Sequence, residues 1–181
     1  RQLQPRFGTA FERRTWVVRP REGVVIEVAL DIGEITANAD RAPLCELELE
    51  LREGPPEALF TLARHIAREV AVWPLAASKA QRGNALRAAT LYAPRRAQPP
   101  AVREVSRWAD LARPVLAEAL AQCGDNLHAL RFADTPELVH QARVGWRRFR
   151  SLLRLVRPLC QALPPPQTDA LPVLWGALGR L

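Results

Sequence analysis

The sequence has no methionine, one tyrosine and a single lysine, and no apolar run approaches the roughly 18 residues of a membrane-spanning helix. Its first ten residues lack the apolar stretch of a signal peptide, and the missing methionine suggests an internal piece of a longer protein. The three cysteines are odd in number and form no CxxC pair, which argues against a disulfide framework or a zinc site. These absences predict a cytoplasmic protein without a membrane segment.

Positive charge is what the sequence has in excess. The formal net charge is +7 and the pI is about 10.8, which predicts an anionic partner: nucleic acid, a membrane surface or a phosphate compound. Of the 26 basic residues, only Lys79 is a lysine. All the remaining basic residues are arginine. In such a chain the one lysine is expected to be kept for its compact ammonium group.

Two regions of different pattern lie on either side of a proline-rich segment. Residues 1–92 are predicted to form strands with one helix, residues 93–104 a linker, and residues 105–181 a helical domain. Strands are expected at 13–19, 24–35, 44–53 and 84–93, with a turn at 31–33. Helices are expected at 55–73, 105–130 and 135–157, and a further helix is expected to begin within 174–181. His65 lies off the apolar stripe of the first helix and is expected to be exposed.

The stretch LCELELELREG at 44–54 places Glu46, Glu48 and Glu50 on one face of a strand, opposite the intervening leucines. The simplest interpretation is a wet polar face over an apolar core. If the carboxylates were enclosed at about 7 Å spacing, each pair would repel by about 2 kcal/mol at an effective dielectric of about 20. Cations would then be needed, and rows of oxygen ligands suit Mg²⁺ or Mn²⁺ with a phosphate substrate.

A second charged feature is the segment ASKAQRG at 77–83. Lys79 and Arg82 are three residues apart, so both could contact one anion, and Gly83 would let the backbone come close to it. A surface turn that carries two cations is the ordinary alternative.

The strand VVIEVALDIGEI, the glutamate strand, a helix and ASKAQRG occur in an order that resembles the C-terminal half of a CYTH domain, over roughly residues 7–90. This resemblance implies an antiparallel β-barrel whose interior is a triphosphate tunnel with a divalent metal, Mg²⁺ or Mn²⁺. It implies metal ligands at Glu46, Glu48 and Glu50, catalytic roles for Glu48, Lys79 and Arg82, and triphosphate binding by Arg13, Lys79 and Arg82. Arg14 replaces Arg13 if the register slips by one, and Glu27 and Asp31 would also line the tunnel.

One departure from the family concerns the barrel itself. The E-x-E-x-K strand that marks the start of CYTH domains does not occur in this sequence, and about half of the barrel strands are missing. The chain as written is therefore expected not to close a tunnel alone.

The segment VHQARVGWRRFRSLLRLVR at 139–157 has six arginines and no carboxylate. On a helical wheel five of them form a stripe beside His140, about 21 Å long at 1.5 Å per residue, and Arg148 lies apart. A solvated basic face is one interpretation and an anionic polymer along the stripe is the other. Nucleic acid ranks last, because no aromatic residues interleave with the stripe and no helix-turn-helix precedes it.

This segment resembles the CHAD family through the pattern V-H-x-x-R-V-x-x-R-R-x-R, over about residues 105–181. That resemblance implies a helical bundle that binds long-chain polyphosphate, with a site formed by His140, Arg143, Arg147, Arg148, Arg150 and Arg154. The fold class expected for the whole chain is α+β: a partial β-barrel followed by an all-α domain.

Both resemblances concern condensed phosphate. We expect a metal-dependent inorganic triphosphatase with a polyphosphate-binding domain, located in the cytoplasm, where polyphosphate granules are one site of attachment. The alternatives are a non-catalytic polyphosphate-binding protein with a degenerate tunnel and, less well supported, an adenylate cyclase. The sequence does not indicate an oligomeric state.

Overall fold

The computed structural model describes residues 4–100, 108–159 and 176. The chain divides into two compact units, Arg1–Leu91 and Tyr92–Leu181. Among the described residues, no helix combines the length and the apolar composition that crossing a bilayer requires. The helix expected within 174–181 lies outside the described residues, apart from residue 176.

The first unit contains a three-stranded antiparallel sheet in the order β1-β2-β3. The strands are β1 (Gly8–Val18), β2 (Val25–Ala37) and β3 (Asp40–Glu53), and they are followed by helices α1 (Glu57–Glu69) and α2 (Lys79–Arg87). Asn38 takes a left-handed conformation in the tight turn between β2 and β3, with φ of 55°. The strands predicted at 13–19, 24–35 and 44–53 and the helix predicted at 55–73 are confirmed, with shifted ends.

The α+β class is confirmed, but the β-barrel is not. Within the described residues the sheet has three strands, with β1 and β3 at its edges, and it is not closed. In a closed barrel every strand pairs with a neighbour on both sides. Here β1 and β3 each pair on one side, with β2. The expectation that this chain does not close a tunnel alone agrees with the open sheet.

Two local predictions were wrong. A strand was expected at 84–93, but the first part of this segment belongs to helix α2. The helix begins at Lys79 because Ser78 and Gln81 form a capping box there. The turn expected at 31–33 is absent, because β2 runs through it without interruption. Gly33 allows β1 and β2 to lie close together, because a Cβ at this position would lie 2.0 Å from the carbonyl oxygen of Ala10.

Both faces of the sheet carry an apolar cluster. On one face, Val24, Ile26 and Val28 pack with Leu47, Leu49 and Leu51 of β3 and with residues of α1. On the other face, Ile35 and Leu44 belong to a cluster with Leu86 of α2. This second face also carries the glutamates of β3. It is apolar at the end covered by α2 and charged further along the strands, so α2 contacts both the apolar and the charged part. His65 on α1 is exposed, as predicted.

The second unit contains α3 (Trp108–Ala129), α4 (Pro136–Val156) and a short 3-10 turn, Arg157–Leu159. The helices predicted at 105–130 and 135–157 are confirmed. Small residues let the helices approach closely, since Ala119 and Ala142 are fully buried. Burial also raises the pKa of the Cys123 thiol to about 11.

Replacing Gly145 by Ala is expected to destabilise the second unit by about 1–3 kcal/mol, even though Ala is the better helix former. A Cβ at Gly145 would lie 2.5 Å from the backbone nitrogen of Cys123, so α3 or α4 must move. Urea unfolding followed by helical circular dichroism measures the change. Ser151→Ala, at an exposed position of the same helix, is the control and should not destabilise. Equal stability of the two variants would contradict the close approach.

Candidate functional site

Strand register brings the charged residues of the first unit onto one face of the sheet. Arg13 pairs with Asp31, and Asp31 pairs with Glu46, so the three form one row across β1, β2 and β3. Two residues further along, Glu48 lies opposite Ala29, and the next row joins Glu27 to Glu50. The three glutamates therefore share one face, as their alternation predicted.

Asp31 lies at the centre of this face and its side chain is fully buried. Arg13 donates two hydrogen bonds to it, from Nε to Oδ1 at 2.6 Å and from Nη2 to Oδ2 at 2.7 Å. The Arg13 hydrogen bond outweighs burial and, together with Lys79, lowers the pKa of Asp31 to about 2. Arg13 Nη2 also donates to Glu48 Oε2 at 2.7 Å, which joins the first row to the second.

Lys79 occupies the first residue of α2, where the Ser78 cap fixes the start of the helix over the sheet. Its Nζ lies 2.8 Å from Asp31 Oδ2 and 2.7 Å from Glu48 Oε1, and it also forms an ion pair with Glu46. Partial burial lowers the pKa of Lys79, but the three carboxylates outweigh it and raise the pKa above its ordinary value. One ammonium group thus contacts all three acids.

Arg82 follows one turn later on α2 and is largely buried. Its Nη1 lies 3.0 Å from Glu46 Oε2, and its Nη2 donates to the carbonyl oxygen of Pro43 at 2.9 Å. Gly83 beside it meets the ring of Phe7, where a Cβ would lie 2.4 Å from the ring carbons. Gly83 was expected to let the backbone approach an anion, but in this structure the space beside it is filled by the ring of Phe7.

Three of the predicted acids converge and two do not. Oxygen atoms of Asp31, Glu46 and Glu48 lie within 4.8 Å of one another, close enough to ligate one ion. Glu50 and Glu27 instead contact Arg52, at 2.7 and 2.9 Å. Sequence reasoning placed Asp31 among the residues that line the tunnel but not among the metal ligands, and it did not include Arg52.

The converging donor set fits a divalent metal. All of its atoms are carboxylate oxygens, the ligands that Mg²⁺ and Mn²⁺ accept, and a cationic ammonium already lies among them. Asp31, Glu46 and Glu48 are therefore the residues that could hold the ion.

Helix α4 of the second unit, which carries the arginine stripe, lines an open groove of about 420 Å³. Its lining residues are Arg143, Trp146, Arg147, Arg150, Ser151 and Arg154. Four of the predicted arginines are thus brought together, with the exposed His140 one turn before the first of them. Trp146 was not predicted, although it lies three residues after Arg143 and four before Arg150, on the border of the stripe.

Arg148 points elsewhere, as the helical wheel indicated. Its guanidinium donates to Gln122 Oε1 of α3, and Gln122 Nε2 donates to Gln141 Oε1 at 2.8 Å. Gln122 is fully buried, so Arg148 satisfies a polar group between the helices. The family pattern predicted that Arg148 belongs to the ligand site, but Arg148 is not among the residues that line the groove.

The segment predicted to be a linker contributes a contact to α3. Arg95 forms ion pairs with Glu118 and with Asp125, the latter at 2.5 Å. Its backbone also exchanges two hydrogen bonds with the buried side chain of Asn126, at 3.0 and 2.9 Å. Residues around Arg95 are thus anchored to the helical unit.

Comparison with protein families identifies the two units. Residues 1–83 match the CYTH domain and residues 114–181 match the CHAD domain, so the chain has a CYTH domain followed by a CHAD domain. The chain is also similar to a protein named inorganic triphosphatase from Haemophilus influenzae (strain ATCC 51907 / DSM 11121 / KW20 / Rd). The two are 40% identical over 81 residues, 45% of this chain and 23% of that protein. The matched stretch thus spans under a quarter of the relative's length.

Proposed function

We propose that the CYTH unit takes part in metal-dependent hydrolysis of inorganic triphosphate to diphosphate and phosphate. The observation that supports this most directly is the single cluster in which three carboxylates and three cations meet on one face of the sheet. Its carboxylates suit a divalent ion, and its cations suit phosphate oxygens.

Each side chain of the cluster has a distinct role in this proposal. Asp31, Glu46 and Glu48 would hold Mg²⁺ or Mn²⁺, which when bound supplies positive charge against the terminal phosphoryl group. Arg13, Lys79 and Arg82 bind phosphate oxygens and stabilise the charge that develops on them. Glu48 is about half exposed, whereas Asp31 is buried, so Glu48 is the carboxylate best placed to orient a water molecule. Glu50 keeps Arg52 in place beside this group.

The direct test is phosphate release from tripolyphosphate by the full-length protein, with Mg²⁺ or Mn²⁺ and with a chelator. We expect release that depends on the ion and stops in the chelator. Release that persists without any divalent ion would contradict the proposed metal dependence. Pyrophosphate and ATP, supplied at the same concentration, show whether triphosphate is preferred.

We further propose that the CHAD unit binds long-chain polyphosphate along its groove. Four arginines line it, and their guanidinium groups can each donate two hydrogen bonds to phosphate oxygens. Among the residues that the structure describes, no carboxylate belongs to the lining, so a polyanion would meet positive charge that these residues leave uncompensated. Such a unit would retain substrate near the CYTH unit or attach the protein to polyphosphate granules.

A second candidate function is polyphosphate binding without catalysis. It is favoured by the open three-stranded sheet within the described residues and by the absence of an E-x-E-x-K strand from the sequence. In that case, polyphosphate binding persists while no phosphate is released from tripolyphosphate with either ion. The hydrolysis assay therefore separates the two candidates.

A further inference from the structure

Lys79 lies at the point on which the three carboxylates converge. Its Nζ contacts Asp31 Oδ2, Glu46 Oε1 and Glu48 Oε1, one oxygen from each acid of the group that could ligate an ion. We propose that Lys79 is a built-in substitute cation, which competes with the divalent ion for these oxygens and becomes available to an anion once the ion displaces it. This inference rests on the proposed function, because it concerns the same site.

Competition follows from the positions of the atoms. The distances of 2.8 and 2.7 Å from Nζ to Asp31 and Glu48 leave no room for a second cation between the same oxygens. A Mg²⁺ ion would need those oxygens at about 2.0–2.1 Å. An ammonium and a divalent ion that shared three ligands would lie in direct contact and repel each other.

The residue type matches the position. An ammonium has three donors arranged around a single point, so it can meet three separate carboxylates at once, whereas the donors of arginine lie in one plane and are best matched to paired contact with a single carboxylate. Neither arginine of the cluster reaches all three acids: Arg13 makes its paired contact with Asp31 and a further one with Glu48, and Arg82 contacts Glu46 and a backbone carbonyl. The only lysine of the sequence thus lies where three separate carboxylates meet at one point.

Displacement does not require the ammonium to leave the cluster. Nζ lies 5.4 Å from the centre of the Phe11 ring, a distance at which a cation is attracted to an aromatic face. The side chain of Lys79 has four flexible methylene groups and is 18% exposed, so its end can turn toward solvent. A freed ammonium would therefore stay where an anion bound to the ion could meet it.

Charge balance predicts coupling between the two ligands. Arg13, Lys79 and Arg82 balance Asp31, Glu46 and Glu48, so the cluster is neutral before any ligand binds. A divalent ion makes it positive, and a polyanion restores the balance. Ion and anion should each strengthen binding of the other by the same factor, since such coupling is reciprocal.

Mn²⁺ binding to this chain, with no phosphate compound present, tests the competition. Lys79→Met should bind Mn²⁺ about tenfold more tightly than the wild type, as measured by the electron paramagnetic resonance signal of free Mn²⁺. The matched control is Arg52→Met, which removes a positive charge from the same sheet face but from a residue that pairs with Glu27 and Glu50 instead. Unchanged or weaker binding by Lys79→Met would overturn the proposal, and so would equal tightening by Arg52→Met.

The wild-type chain offers a second readout, because Lys79 is its only lysine. Lysine labelled with ¹³C at Cε produces one nuclear magnetic resonance signal from the unmodified sequence. Mg²⁺ should shift this signal along the same saturation curve as ion binding, and a signal that stays constant while Mg²⁺ binds would overturn the proposal. Neither readout involves hydrolysis, so an inert protein that releases Lys79 would refute the proposed activity and support this inference.

Discussion

Glu48→Gln is expected to lower metal-dependent phosphate release from tripolyphosphate by about 100-fold or more in the full-length protein. One oxygen of Glu48 accepts from Arg13 and the other from Lys79, each at 2.7 Å, and the residue also belongs to the converging acids. The amide keeps the shape of the side chain. It removes the charge and replaces one acceptor by a donor that would face a cation.

Glu50→Gln is the matched control for this experiment. Glu50 lies on the same strand and the same face, two residues further along, but it contacts Arg52 and is mostly exposed. Exposed ion pairs contribute little to stability, so this change should leave phosphate release within about twofold of the wild type. Full activity of Glu48→Gln, or equal losses in the two variants, would contradict the assignment of the cluster.

Removing two arginines from the groove of the CHAD unit is expected to weaken polyphosphate binding by about 100-fold. Arg147 and Arg150 both line the groove, and charge-assisted hydrogen bonds contribute about 1.5–3 kcal/mol each. The double variant Arg147→Ala/Arg150→Ala can be compared with the wild type by calorimetry, using polyphosphate of one chain length at fixed salt. The difference should shrink as salt rises, because these contacts are open to solvent.

The control pair is Arg96→Ala/Arg113→Ala. Both residues are exposed, belong to the same unit and lie outside the groove, so this pair removes the same net charge. If the effect is local, the control should bind polyphosphate almost as well as the wild type. Equal weakening in both pairs would show that binding follows net charge and would contradict a groove site.

Competition with single-stranded DNA at matched salt separates the proposed ligand from nucleic acid. Trp146 in the groove is an aromatic surface on which a base could stack, which the sequence analysis did not foresee. Polyphosphate has no bases, so Trp146→Ala should leave its binding largely unchanged. A large loss of DNA binding in that variant, together with DNA outcompeting polyphosphate, would favour the nucleic-acid interpretation.

Periodicity was a reliable guide where a helix or strand has a clear apolar face. The helices α1, α3 and α4 repeat apolar residues every three to four positions, and β3 alternates strictly from Glu46 to Leu51. It failed for α2, which is short and has few apolar residues to reveal a period. The pattern of Ser78 followed three residues later by Gln81 is a capping signal that could have identified this helix.

The residues of the candidate site also fall into two groups: those that local sequence indicated and those that depend on tertiary structure. Lys79, Arg82 and the glutamates were recognisable from their own segments and from the family resemblance. The central place of Asp31 follows from its register between Arg13 and Glu46, which depends on pairing among three strands. Arg52 reaches Glu27 and Glu50 at a bulge in the β2–β3 pairing, where the register shifts between Val25 and Ile26.

The sequence by itself determined which residues face the same way: the glutamates on one side of their strand, and the arginine stripe along one side of its helix. These are local properties, because the geometry of a strand or helix sets them within a few residues. Only the tertiary structure decided which charges meet. The ammonium of Lys79 reaches three acids on two strands because α2 crosses the sheet there, and a contact between segments distant in sequence depends on how they pack.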